Sequence, residues 1–155
     1  MDRTTLVRLG ALLLLAVGGS ACRPDAAPTA PLTYEQDAAA QARLQAVMAQ
    51  DEQARCAPEA IAELQAVQQA HPTAAAPYAA LRGVLEACER WEPLADLLAT
   101  RPPDQRTLDE TVDLARLDII YLQRFAEGEA LIKPLVEADP DNVDYVSLLT
   151  AALFY

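Results

Sequence analysis

Sliding the chain against itself shows a period of 34 residues, and this period limits the fold more than any other feature of the sequence. Leu44, Tyr78, Val112 and Val146 stand 34 apart, as do Val47, Leu81, Ala115 and Leu149. Later in each unit Ala60, Leu94 and Gly128 superimpose, and so do Leu64, Leu98 and Ile132. Trp91 and Phe125 are again 34 apart, and Pro72 and Pro140 are separated by two periods. A unit of this length holds two short helices and a turn. Such a hairpin cannot bury its apolar face alone, so neighbouring units must stack. The expected fold is all-α, a helical-hairpin solenoid of about three and a half repeats.

Local signals agree with that expectation. Alanine, leucine, glutamine and glutamate dominate, while glycine and β-branched residues are sparse, which is a helical composition. Helical stretches are expected over Tyr34 to about Gln53, Pro58 to Ala70, Pro77 to Glu89 and Pro93 to Ala99. Pro58, Pro77 and Pro93 suit first-turn positions, where the missing N–H of proline leaves no bond unmade. Thr107 and Glu110 read as a capping box opening a helix to about Gln123. Phe125 to Ala138 follows, with Pro134 expected to kink it, and Val143 to Tyr155 closes the chain.

The N-terminus has a different character. Arg3 and Arg8 precede an apolar run from Leu6 to Val17, and Gly18-Gly19-Ser20-Ala21 lead into Cys22. The run is shorter than the roughly 18 to 20 residues that span a bilayer. It reads as a secretory signal, and it resembles a bacterial lipoprotein signal whose cysteine is lipidated. The resemblance implies a signal peptide over 1–21, lipid on Cys22, a disordered proline- and alanine-rich tether over 22–33 and a folded domain over 34–155. Arg23 after the cysteine then implies the outer membrane, with the domain on its periplasmic face. If Cys22 carries lipid, Cys56 and Cys88 remain as a pair, and in an oxidising compartment such a pair is expected to be a structural disulfide. Both fall in hairpin turns nearly one period apart. Packed helices sit roughly 8 to 10 Å apart and a disulfide needs Cα atoms within about 7 Å, so spacing alone leaves the bond open.

Over roughly residues 36 to 155 the repeat resembles the tetratricopeptide repeat family. The second unit carries the motif through Tyr78, Leu81, Leu85, Trp91, Leu94 and Leu98, and the third through Ala115, Ile119, Phe125, Gly128, Ile132 and Pro140. Arg82 and Arg116 stand where the family has a small residue. The resemblance implies a concave groove formed by the first helix of each hairpin. Its positions fall here on Glu86, Glu110, Asp113, Leu117, Ile120, Tyr121 and Asp144, acidic at one edge and apolar-aromatic toward the C-terminus. Such a groove suits a peptide or helix with an apolar stripe and some basic residues.

Composition bears on partners. The 155 residues carry a net charge of −11, and the signal contributes +1 through Asp2, Arg3 and Arg8, leaving −12 beyond it. An acidic body of this kind is not drawn to nucleic acid or to anionic lipid, so membrane attachment is expected through the lipid alone. No phosphate-binding loop, nucleophile elbow or zinc-protease motif occurs, and the lone His71 precedes Pro72, where it is expected to meet free helix-end carbonyls. No catalytic residue, metal or cofactor is therefore expected. The expected function is an envelope scaffold that binds an as yet unidentified protein or peptide. The competing expectation is the front part of a longer envelope enzyme. Leu149, Leu153, Phe154 and Tyr155 have no following helix to cover them, so self-association through the last helix is also expected.

Overall fold

Chain punctuation sets the helices of the computed structural model, which describes residues 31–154. These residues form α1 (Ala38–Met48), α2 (Glu52–Arg55), α3 (Pro58–Ala70), α4 (Ala75–Ala87), α5 (Trp91–Ala99), α6 (Leu108–Arg116), α7 (Phe125–Ala138) and α8 (Val143–Phe154). Short 3-10 turns occupy Tyr34–Gln36 and Pro103–Gln105, and a π-helical turn, Leu117–Tyr121, continues α6. No strand occurs among the described residues. The expected signal over 1–21, Cys22 and most of the tether lie outside them, as does Tyr155.

Local chemistry explains most boundaries. Pro58 is the first residue of α3, and Pro77 and Pro93 each stand third in their helices. The capping box forms as expected: Thr107 Oγ1 accepts from the Glu110 N–H at 3.1 Å, and Glu110 Oε2 accepts from the Thr107 N–H at 2.9 Å. The first stretch does not form one helix. Asp37 accepts from the Ala40 N–H at 2.9 Å and Asp51 from the Ala54 N–H at 2.8 Å, so each aspartate starts a helix of its own. Helix α7 continues through Pro134 from Phe125 to Ala138. Ala130 and Pro134 are both exposed, so the carbonyl that proline leaves without a donor lies where water reaches it.

Consecutive helices pack on one another, α1 on α3, α3 on α4, α4 on α5, α5 on α6, α6 on α7 and α7 on α8. Contacts also join α1 to α4 and α6 to α8. Burial follows the sequence period: Leu64, Leu98 and Ile132 are closed to solvent, as are Val47, Leu81 and Ala115 one helix earlier. Burying each such large side chain stabilises by about 1.5–3 kcal/mol. The main core runs through α1, α3, α4, α5 and α6, and a second cluster of Ala115, Ile119, Ile132, Leu148 and Ala152 joins α6, α7 and α8.

The hairpin turns repeat in backbone conformation too. Glu89 and Gln123, 34 residues apart, are left-handed at φ 52° and 55°, and each precedes an arginine and an aromatic that opens the next helix. After α4 the Arg90 N–H reaches back to the Leu85 carbonyl at 2.8 Å, the usual closure of a left-handed helix end. After the π turn the Arg124 N–H reaches one residue further, to the Asp118 carbonyl at 2.7 Å. The first hairpin differs, because α2 is inserted in its turn. Cys56 caps α2, Cys88 caps α4, and the two are joined by a disulfide with Cα atoms 5.4 Å apart.

His71 has a partner that its position at a helix end did not suggest. Its Nε2 lies 3.1 Å from Asp37 Oδ2 and its ring meets Tyr34 edge-on at 5.6 Å. The imidazole pairs with a carboxylate one period away, and at the helix end the Val67 and Gln68 carbonyls accept from the His71 backbone N–H.

Candidate functional site

Helices α4 and α6 place two arginines around one carboxylate. Arg82 Nη2 donates to Asp113 Oδ2 at 2.6 Å and Arg116 Nη1 donates to Asp113 Oδ1 at 3.0 Å. Residues 82 and 116 are one period apart, so stacking the helices brings their guanidiniums to the same place. Beside them Trp91 stacks on Tyr121 with ring centroids 4.3 Å apart and planes 27° off parallel. Together with Glu86 and Leu117 these residues bound a small surface hollow of about 140 Å³.

Of the seven expected groove residues, Glu86, Asp113, Leu117 and Tyr121 meet at this hollow. Ile120, 51% exposed, and Tyr121, 47% exposed, present apolar and aromatic surface. Asp144 is exposed on α8 and does not line the hollow. Leu117 is buried as part of the core, so it forms a floor and offers little contact area. The acidic edge is also corrected: Asp113 is neutralised by its two arginines, and Glu110 is buried inside the fold.

Glu110 is occupied by internal partners. Its Oε1 accepts the Tyr78 hydroxyl at 2.9 Å and Arg101 Nη1 at 3.1 Å, while Arg101 lies over the Tyr78 ring at 3.9 Å. Burial pushes the Glu110 carboxyl upward, but the Thr107 N–H, the Tyr78 hydroxyl and the Arg101 charge outweigh it and hold it below the usual glutamate value. Burial, and then the Glu110 carboxylate, push the Tyr78 phenol up to about 12. Asp118 goes the other way: burial raises its carboxyl, with Arg124 Nη1 a distant 3.8 Å from Oδ1.

A larger cleft, about 750 Å³, opens between α3 and α5. Sequence reasoning missed it, because its floor is made by Tyr78 and Leu81 of α4, which the period assigns to the core, and its walls come from α3, α5 and loop residues. The Trp91–Tyr121 stack was missed too, although the tryptophan at a turn was visible as half of a 34-residue pair. Comparison with protein-family profiles, curated proteins and solved structures returns no match. Among the described residues no group of three or more His, Cys, Asp or Glu side chains converges as metal ligands, and no helix is long and apolar enough to cross a membrane.

Proposed function

We propose that this chain is a lipid-anchored periplasmic scaffold, a tetratricopeptide-like helical solenoid that binds a protein or peptide partner and so assembles or stabilises an envelope complex. The solenoid reading is supported by recurrence at 34 residues in burial, in the Glu89 and Gln123 turns and in Arg82 and Arg116. The observation that carries partner binding is the Trp91–Tyr121 stack, whose tyrosine is about half exposed, together with the exposed Ile120 next to it in sequence. Aromatic side chains at a surface hollow are the residue types that anchor protein interfaces, since they bury large area with few rotatable bonds. Here the arginines beside the stack are drawn onto Asp113, so a partner meets an apolar patch with its local charge largely balanced. The open side of α8, where Leu153 and Phe154 are exposed, gives a second apolar surface suited to self-association.

Two experiments test this reading. Cys22→Ser should move the protein from membranes to the soluble periplasmic fraction, and persistence in membranes would refute the lipid anchor. Tyr121→Ala should reduce the recovery of a specific co-isolated envelope protein at least tenfold, whereas Glu137→Ala, on exposed α7 surface, should not. Equal recovery with both variants would remove the basis for the proposed face.

A further inference from the structure

The cleft between α3 and α5 is chemically unlike the Tyr121 face. Its floor is apolar, formed by Tyr78, Leu81 and Leu97, all nearly closed to solvent. Its walls carry Gln65, Gln68, Gln69 and Gln105. Its two charged lining residues, Asp96 and Arg101, are of opposite sign, and Arg101 is already paired with Glu110. Gln68 is more than nine-tenths buried; its Nε2 donates to the Pro72 carbonyl at 3.2 Å, and its Oε1 has no donor from the protein. A buried acceptor without a partner is uncommon in a folded protein and calls for a donor.

From these features we infer that the cleft is a second binding site, for an extended, uncharged peptide segment with an apolar side chain set on the Tyr78–Leu81–Leu97 floor. Glutamine amides both donate and accept, which matches the alternating C=O and N–H groups of an extended main chain. The volume lies in the range of sites that enclose a few residues of ligand. The lining carries one charge of each sign, so no net charge draws a charged segment into the cleft. A neutral saccharide is disfavoured by the same geometry, since sugars need an open aromatic face and the Tyr78 ring is covered by Arg101.

The test uses the full-length protein in detergent and a panel of N-acetylated, C-amidated hexapeptides built from uncharged residues with a central leucine. At least one peptide should bind, and at least tenfold more tightly than its counterpart with a central lysine or glutamate. A combined Gln69→Ala and Gln105→Ala variant, altered only at exposed positions, should weaken that binding at least fivefold. As a readout in unaltered protein, a spin label on the peptide should broaden the methyl resonances of Leu81 and Leu97. The inference is overturned if no peptide binds at millimolar concentration, if charged and uncharged peptides bind alike, if the glutamine variant binds normally, if the label broadens methyls elsewhere, or if maltohexaose occupies the cleft in place of the peptides. The Tyr121 face is a separate surface, so its own test is read independently.

Discussion

Tyr78 donates its hydroxyl to Glu110 Oε1 at 2.9 Å, tying α4 to α6 inside the protein, and Arg101 touches both partners. Stability should follow both titrations. The Glu110 carboxyl is held below its ordinary 4.5, so its contribution is present above that pH and lost as pH falls through the lowered folded value. The Tyr78 phenol is raised from 10.0 to about 12, so stability should fall as pH climbs between them, by at most about 2–3 kcal/mol. Urea unfolding against pH should show both losses. Tyr78→Phe should abolish the alkaline one and cost about 1–2 kcal/mol at neutral pH, by leaving a buried acceptor short of a donor. An unchanged alkaline limb in Tyr78→Phe would assign that titration elsewhere.

Replacing Cys56 and Cys88 together by serine opens a loop with a sequence separation of 32. On the chain-entropy account the loss should be about 3–4 kcal/mol, measured by denaturant midpoint. Thiol titration of oxidised wild-type protein unfolded without reductant should find neither of these two cysteines free.

Gly128→Ala should destabilise. An added Cβ would meet Ile119 Cγ1 at 2.3 Å and the Ala115 carbonyl oxygen at 3.2 Å, where α7 packs on the π turn. Overpacking of this kind costs about 1–3 kcal/mol. Ile119→Ala, which removes that Cγ1, should cost less in the Gly128→Ala background than in wild type if the isoleucine is the obstacle, and thermal unfolding of the single and double variants decides it.

Asp118→Asn should behave in the opposite sense. The carboxylate is buried, its Oδ1 lacks a hydrogen bond, and burial raises its titration, so it takes up its proton at a higher pH in the folded state than in the unfolded chain. Wild type should therefore gain stability from this group as pH falls through the raised value, and be penalised above it. The asparagine variant should be more stable than wild type at neutral pH and should lack that acid-side gain. A less stable variant at neutral pH would show that the Arg124 pairing outweighs burial.

Local chemistry was legible in the sequence because its signals act over a few residues. The bounds of α3 and α7 and the Thr107–Glu110 box follow from prolines, caps and apolar spacing. The break of the first stretch turned on Asp37 and Asp51 accepting backbone N–H groups, which competes with helix continuation and is weak evidence in a sequence rich in alanine. The π turn at Leu117–Tyr121 left no mark, because its residues suit α-helix equally and Gly128 admits Ile119 only once the helices are packed. Site residues were harder. The family resemblance implied Glu86, Asp113, Leu117 and Tyr121 on one groove, yet whether Glu110 points to solvent or to Tyr78 depends on a contact 32 residues away. The same holds for His71 and Asp37.

The scaffold account is tested most directly by a photocrosslinking amino acid placed at Ile120 in intact cells. Irradiation should give one discrete adduct with an envelope protein, absent when the probe stands at Glu137 and lost when Tyr121→Ala is added. No adduct, or the same adducts from both positions, would contradict the proposal that the Trp91–Tyr121 face holds a partner.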